Sequence, residues 1–349
     1  MKVAFILSRC SYLGPFIVAR DIAYHLYNTV EKLDIYYLRE SDNSLDFAVT
    51  PQKLNFFEKK DWADYDIVHS HGFVADAYVS YHRKRFSGKQ LTTMHQRIAP
   101  DYAMKYNRLF GLLFEKLWCR FIKDNHAIVM LTNELCRHYH KKLPAAKLSF
   151  IYNGITVPEQ QEDILKEDLQ QIEELKRTHT LIGISARLIY LKGIDQVIHF
   201  LKTNPDFALL VLGDGEERQN LEALAETLGV KTRCLFPGHR KNALRYFRYF
   251  DLYVMCSRSE GFGLCVIEAA SQKIPVVCSD LPVYRELFDD EVVRFELEDI
   301  PSLSKAVHKA VTEKQVLSEK IFRRYKQCYT SDRMAANYLA TYKKLLQEE

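Results

Sequence analysis

No apolar run in this chain approaches the ~20 residues that a bilayer-spanning helix needs, and none of the eight cysteines stands in a Cys-x-x-Cys pair. The first absence leaves no candidate transmembrane span. The second leaves neither a disulfide framework nor a zinc ribbon, so the scattered cysteines read as small buried hydrophobes. No secretory leader is expected either. Residues 1–7, Met-Lys-Val-Ala-Phe-Ile-Leu, run directly into a strand pattern without a small-residue cleavage site, so the expected location is the cytoplasm. The first loop, Ser8-Arg9-Cys10-Ser11-Tyr12-Leu13-Gly14-Pro15, lacks Gly-x-Gly-x-x-Gly, which counts against a nicotinamide or flavin enzyme. With no zinc finger, RNA-binding signature or low-complexity basic tail, nucleic acid is the least favoured partner.

What is present is a chain of 349 residues, 47% hydrophobic and 27% charged, long enough for two domains of ordinary soluble composition. Its charge is uneven. Residues 1–152 hold 22 Lys+Arg against 15 Asp+Glu, whereas residues 153–349 hold 27 against 30. A basic first half implies an anionic partner on that side, either membrane lipid or a phosphorylated substrate.

Short apolar runs alternate with helical patterns, the rhythm of a parallel α/β protein. Strands are expected at Val3–Leu7, Leu33–Tyr37, Ile67–His69, Leu91–Met94, Ile128–Leu131 and Leu148–Ile151. In the second half they are expected at Leu181–Ser185, Ala208–Leu212, Cys234–Phe236, Leu252–Met255, Val276–Cys278 and Val292–Phe295. Pro15–Tyr27 and Asn133–Lys142 read as helices. The break is placed at the turn signal Asn153-Gly154, with Pro158 close behind. Glu159–Lys176, rich in Gln and Glu, reads as an exposed helical or flexible insert. The expected organisation is two doubly wound domains, residues 1–153 and 154–330, with residues 331–349 as a helix crossing back to the first. In such sheets ligands sit at the C-terminal strand ends, so the site is expected in a cleft between the domains.

The chemistry concentrates in a few places. Ser259-Glu260-Gly261-Phe262-Gly263-Leu264-Cys265-Val266-Ile267-Glu268 places one carboxylate on a loop and another about one turn inside a helix, with a helix N-terminus between them. Arg187 and Lys192 follow the strand Leu181–Ser185, where two cations beside Gly193 suit a diphosphate; two solvated surface cations are the plain alternative. Gly213-Asp214-Gly215 and Phe236-Pro237-Gly238-His239 end the next two strands and let a ligand approach the backbone. In the first half His95 ends the strand Leu91–Met94. His69 and His71 could be half of a metal site, but no third ligand cluster accompanies them.

Taken in order, Asn153-Gly154-Ile155, Ser185-Ala186-Arg187 with Lys192-Gly193, Gly213-Asp214-Gly215, Phe236-Pro237-Gly238 and Glu260-Gly261-Phe262-Gly263 with Glu268 resemble glycosyltransferase family 4, retaining enzymes of the GT-B fold. The likeness covers the second domain. In the first it rests on Asp66-Ile67-Val68-His69-Ser70-His71 and His95. Tyr329-Thr330-Ser331-Asp332 with Tyr338 and Tyr342 resembles the family's terminal crossover helix. One departure is the single Gly14 where many members have adjacent glycines.

The resemblance implies transfer of a sugar from a nucleotide donor, by default a UDP-sugar, to a saccharide or lipid-linked acceptor in lipopolysaccharide or polysaccharide synthesis. It implies no cofactor and no metal. Arg187 and Lys192, with backbone N–H groups near Gly263 and Leu264, would neutralise the diphosphate. Glu268 would hold the ribose, and Glu260 the transferred sugar. His95 would touch the sugar or the acceptor hydroxyl, and Gly14, Gly213, Gly238, His239 and Phe262 would complete the donor contacts. Two rivals are a non-hydrolysing sugar-nucleotide epimerase and a catalytically inactive binding module.

Met104–Lys123 reads as one amphipathic helix. At 100° per residue, Lys105, Arg108, Lys116, Arg120 and Lys123 share an arc of about 120°. Phe110, Phe114, Leu117, Trp118 and Phe121 lie opposite, facing the core. With Arg83-Lys84-Arg85, the cations favour anionic lipid at the inner leaflet.

Overall fold

The computed structural model describes residues 1–41, 45–157 and 163–348, and the chain divides into two compact units. One holds Met1–Thr156 together with the chain from Cys328 onward; the other is Val157–Gln327. Each is built on a wholly parallel sheet.

The first unit contains β1 (Lys2–Arg9), β2 (Lys32–Arg39), β3 (Gln52–Lys53), β4 (Ile67–His71), β5 (Lys89–Met94), β6 (Ala127–Met130) and β7 (Leu148–Phe150), in spatial order β3-β2-β1-β4-β5-β6-β7. Its helices are α1 (Gly14–Leu26), α2 (Phe73–Tyr81), α3 (Ile98–Lys105), α4 (Arg108–Ile122) and α5 (Asn133–Tyr139). The second unit opens with α6 (Lys166–Lys176). It then alternates β8 (Thr180–Ser185), α7 (Ile194–Thr203), β9 (Phe207–Leu212), α8 (Arg218–Thr227), β10 (Cys234–Gly238), α9 (Leu244–Phe247), β11 (Leu252–Met255), α10 (Leu264–Ser271), β12 (Val276–Ser279), α11 (Pro282–Leu287) and β13 (Val293–Phe295). It closes with α12 (Ile300–Thr312) and α13 (Lys314–Cys328), and its sheet order is β10-β9-β8-β11-β12-β13.

Helices cover both faces of the central strands, and the sequence shows it: Val3–Leu7 and Ala208–Val211 are continuous apolar runs with no exposed surface. Pro237 is tolerated because β10 is an edge strand, where a missing N–H breaks no ladder. The cysteines are all free, and four are buried. Among the described residues no helix is long and apolar enough to cross a membrane.

The last helix, α14 (Ser331–Gln347), packs on α1 within the first unit. A ring nitrogen of His25 lies 2.8 Å from Ser331 Oγ, and Thr156 Oγ1 donates to the same oxygen at 2.8 Å. Ile155 bridges Thr330 in parallel. This corrects the reading of Gly154 as a turn glycine. Its φ is not positive; it is small because a Cβ there would lie 2.1 Å from the Thr330 carbonyl oxygen.

Four other expectations change. β3 was not foreseen, for it is two exposed polar residues on the sheet edge. Gly14 does not lie in the first loop but is the first residue of α1. The helix expected over 104–123 is broken: Asn107 is extended, and its side chain accepts from Phe110 N at 2.8 Å, capping α4 as a separate helix. The beginning of the Gln/Glu-rich insert, residues 158–162, lies outside the described residues, but its remainder is not free. α6 buries Ile172 fully, and Asp168 takes a two-pronged bond from Arg240 at 2.7 and 2.9 Å.

Candidate active site

In the second unit the chain winds one way from β8 through β9 to β10 and the other way from β11 through β12 to β13. The crevice at the carboxyl ends of β8 and β11 is therefore the topological switch point. The two motifs richest in charge flank it. Arg187 and Lys192 follow β8; Ser257, Glu260 and the start of α10 follow β11.

Lys192 and Glu260 meet there as an ion pair, with side chains 24% and 12% exposed. Ser257 Oγ donates to the same Glu260 oxygen, Oε1, at 3.0 Å. The loops that carry the pair are laced together. Arg258 N donates to Leu191 O at 2.7 Å, and Gln196 Nε2 donates to Cys256 O at 2.9 Å. The Arg258 guanidinium grips both Asp195 carboxylate oxygens at 3.0 and 2.7 Å, bonds Tyr190 O at 2.6 Å and Glu298 at 2.5 Å, and lies 4.0 Å over the Tyr190 ring. Burial opposes its charge, but the hydrogen bonds it donates to the two carboxylates win, and its pKa is raised. Sequence reasoning missed Arg258. It stands beside the Glu260 motif, yet its partner Asp195 is 63 positions away, a pairing that spacing does not reveal.

α10 begins from Gly263, held at φ +86, with Tyr284 Oη 2.7 Å from where a Cβ would sit. That close contact packs the helix start against α11. Glu268 lies half-buried near Cys265, whose thiol is pushed up by burial and then by the Glu268 charge. Phe262 is 3% exposed, so any donor contact there runs through its backbone.

The turns after β8, β9 and β10 are stitched into one rim. Ala186 N donates to Leu212 O at 2.9 Å, Leu188 N to Asp214 O at 3.0 Å, and Gly213 N to Gly238 O at 3.0 Å. On this rim Arg187 is exposed, and its guanidinium has no partner among the described residues. His239 is exposed beyond Gly238.

In the first unit, the ends of β4 and β5 carry three histidines. His95 Nε2 lies 3.1 Å from His71 Nδ1. His69 engages Tyr342 Oη at 2.6 Å and Thr93 Oγ1 at 2.8 Å, and Thr93 in turn meets Tyr338 Oη at 2.9 Å. Four of the cluster's six ring nitrogens are thus engaged, two with Tyr342 and Thr93 and two with each other, and helix α14 buttresses it. Burial pushes His95 down to about 3 and lowers His69 and His71 as well, so all three are neutral at physiological pH. His71 Nε2 is buried with no partner among the described residues.

The cations Lys105, Arg108, Lys116, Arg120 and Lys123 are all exposed. Their opposite face is not simply core. Trp118 is buried, Phe114 and Phe121 are half-buried, but Phe110 and Leu117 are exposed. The buried stripe is instead Gly111, Glu115, Trp118, Cys119 and Ile122. It turns toward Glu115 because that carboxylate is held inside by Lys142, with His138 beside it.

With this geometry described, comparison with known proteins is direct. The model for glycosyl transferases group 1 matches residues 166–327, and that for glycosyltransferase family 4 matches residues 18–157. The Escherichia coli O-antigen biosynthesis glycosyltransferase WclY is 30% identical over 100% of this chain and 99% of its own. The Escherichia coli UDP-Gal:alpha-D-GlcNAc-diphosphoundecaprenol alpha-1,3-galactosyltransferase is 30% identical over 49% of this chain and 47% of its own. Among solved structures, Anabaena HepE in complex with UDP and glucose superposes with a TM-score of 0.80 at 15% identity, over 99% of this chain and 100% of that one.

Proposed function

The chain belongs to glycosyltransferase family 4 and has its two-domain α/β GT-B fold, as a glycosyltransferase of cell-surface polysaccharide synthesis; on that premise we propose that it moves a sugar from a UDP-sugar, with retention and without a metal, to a saccharide or lipid-linked acceptor. The observation that carries the proposal is the switch-point arrangement: the exposed Arg187, whose side chain has no partner among the described residues, follows the same strand as Lys192, which pairs with Glu260 next to the start of α10. A UDP-sugar as donor is supported by the neighbour bound to UDP and by the relative named for UDP-Gal. The lipid-linked acceptor follows from the same relative's name.

In the proposed reaction the bond between the anomeric carbon and the diphosphate oxygen breaks while the acceptor oxygen bonds to that carbon on the same face. The acceptor proton passes to the leaving phosphate oxygen. Arg187, Lys192 and the N–H groups opening α10 take up the charge that grows on the diphosphate, in place of a metal ion. Glu268 accepts from the ribose hydroxyls, and Glu260 from the transferred sugar. Neutral His95 meets the sugar or the acceptor hydroxyl. Both carboxylates serve recognition, which separates this site from a glycosidase, where two acids flank the scissile bond as nucleophile and proton donor.

The exposed cations of α3 and α4 support a peripheral position on the anionic inner face of the cytoplasmic membrane, where lipid-linked acceptors lie. The test is acceptor-dependent release of nucleoside diphosphate, with the donor first chosen by a thermal-shift screen of sugar nucleotides. Release that needs an acceptor, survives EDTA and yields a product of unchanged anomeric configuration is expected. Interconversion of the sugar nucleotide without acceptor would make the protein an epimerase. Loss in EDTA restored by a divalent ion would end the metal-free account, and an inverted product would end retention.

A further inference from the structure

We propose that Tyr284 is a positioning residue for Glu260: its buried hydroxyl donates to that carboxylate once Lys192 turns to the donor's diphosphate, and fixes it against the transferred sugar. This rests on the proposed roles of Lys192 and Glu260 and adds the group that keeps Glu260 in place when its cation is drawn away. The observation is a donor left over beside an acceptor left over. Tyr284, on α11, has no exposed surface, and its Oη makes no hydrogen bond among the described residues. Glu260 accepts from Lys192 and from Ser257 on the same oxygen, Oε1, which leaves Oε2 without a hydrogen bond among the described residues.

A buried hydroxyl normally finds a partner, and one that does not costs stability. Phenylalanine would fill the same space without that cost, so packing alone does not account for the oxygen. Tyr253, on β11 and equally buried, shows the ordinary outcome: its hydroxyl donates to Ser185 O at 3.2 Å.

The hydroxyl end of Tyr284 faces the turn that carries Glu260. Gly263 lies three residues after Glu260, and a Cβ on it would sit 2.7 Å from Tyr284 Oη and 3.1 Å from Cε1. The glycine therefore lets the hydroxyl come up to the turn. Burial raises the Tyr284 pKa well above its ordinary value, and the Glu260 charge is the next cause. The hydroxyl keeps its proton at physiological pH and stays a donor, with Glu260 as the carboxylate that acts on it.

The Glu260 side chain is only 12% exposed. Drawing Lys192 away leaves its charge in a half-buried crevice, where it needs another donor. An O–H group meeting a carboxylate forms a short, charge-assisted bond. Being neutral, it supplies that bond without attracting the diphosphate to itself, as a second lysine would. The loop around Glu260 is laced to the segment after β8 by Arg258 N on Leu191 O and by Gln196 on Cys256 O, so the exchange is a turn of the Glu260 side chain. One carboxylate oxygen then takes Tyr284, and the other accepts from a sugar hydroxyl.

The test uses the full chain, with UDP, UDP-glucose, UDP-galactose and UDP-N-acetylglucosamine as probes. Wild type, Tyr284→Phe, Glu260→Gln and the double variant are titrated calorimetrically and melted. The deciding quantity is the affinity for the tightest of the three UDP-sugars relative to that for UDP. Tyr284→Phe is expected to melt at or above the wild-type temperature, because an unpaired buried hydroxyl has been removed. Its affinity for UDP is expected to stay at the wild-type value, while the ratio falls about tenfold, the scale of one hydrogen bond to a charged group. In the Glu260→Gln background the same substitution is expected to change the ratio by less than about twofold, since the carboxylate it serves is gone.

A Tyr284→Phe variant with the wild-type ratio overturns the inference while the donor assignment stands. So does a variant that loses UDP and UDP-sugar alike together with Tm, which makes the hydroxyl a structural prop for the start of α10. An equal loss in the Glu260→Gln background also overturns it, by giving the hydroxyl a different partner. A wild type that binds none of the four nucleotides removes the donor assignment itself, and the inference with it.

Discussion

Lys192 and Glu260 form an ion pair across the ends of β8 and β11, and Ser257 donates to the same carboxylate oxygen. The two side chains assigned to neighbouring parts of a sugar nucleotide, its diphosphate and its transferred sugar, thus hold each other. The pair keeps both charges compensated in a half-buried crevice, where a lone charge would be costly. Under the proposed function, a diphosphate arriving beside it would compete with Glu260 for Lys192 and release the carboxylate for a hydroxyl. Arg187 needs no such exchange, being exposed and without a partner among the described residues.

Arg187→Ala and Lys192→Ala are each expected to lower kcat/KM by about 10²–10³, the usual cost of removing a group that meets transition-state charge. They part company in stability. Arg187→Ala leaves Tm unchanged, whereas Lys192→Ala lowers it by stranding Glu260, whose side chain is 12% exposed. Steady-state kinetics with thermal melts check both, and near-normal turnover in the two variants would remove the diphosphate assignment.

His71 is expected to act as a positioning residue for His95, through the 3.1 Å contact between their rings. His71→Asn should lower kcat about tenfold with little change in donor KM, the scale of a supporting hydrogen bond. Adding His95→Asn to it should cost less than His95→Asn costs alone, since the two act as a unit. Fully additive losses would separate them.

Much of this was legible in the sequence, and the reasons are physical. Central parallel strands such as Val3–Leu7 are buried on both faces and read as unbroken apolar runs. The edge strand Gln52–Lys53 buries nothing and leaves no trace. The site motifs were legible because Gly263 and the turns at Gly213 and Gly238 lie within a few residues of the groups they place. Arg258 was not, because its purpose is set by Asp195 and Glu298, far away in the chain. Periodicity found α4 amphipathic and its Trp118 buried, but put the centre of the buried stripe too far toward Phe110 and Leu117, which are exposed. Two of its sides carry large apolar groups, and which one packs inward depends on Glu115 meeting Lys142 from another segment.

That Glu115–Lys142 contact predicts a pH dependence. Burial raises the Glu115 pKa, but hydrogen bonds with His138 and Lys142 outweigh it and bring the group from the usual 4.5 to about 2. A carboxylate with a depressed folded pKa stabilises fully above its unfolded value, and the contribution disappears as pH falls through the folded value. The stability gap between wild type and Glu115→Gln is therefore expected to be full near neutral pH and to close between pH 4.5 and about 2. Discounted for the partly exposed Lys142, the gap is on the order of 2 kcal/mol. Denaturant melts across this window check it, and a gap that does not vary with pH would contradict it.

Gly154→Ala is expected to destabilise the first unit by about 1–3 kcal/mol, because its Cβ would force the Thr330 carbonyl and the start of α14 to move. The shift should loosen the Tyr338 and Tyr342 contacts to Thr93 and His69. Amide exchange in α14 together with Tm reads it out. A variant as stable as wild type would mean that the crossover packs differently.

The central claim is that Lys192 leaves Glu260 for the donor's diphosphate, and calorimetric titration of the donor's nucleoside diphosphate, which carries no sugar, tests it most directly. Lys192→Met is expected to weaken binding by about tenfold or more, as befits a lost charge-assisted contact. Glu260→Gln is expected to leave binding intact or to strengthen it, because Lys192 no longer has to be drawn away. If Glu260→Gln instead weakens the sugar-free diphosphate as much as Lys192→Met does, the two residues hold the same part of the donor, and the division of labour argued for them is wrong.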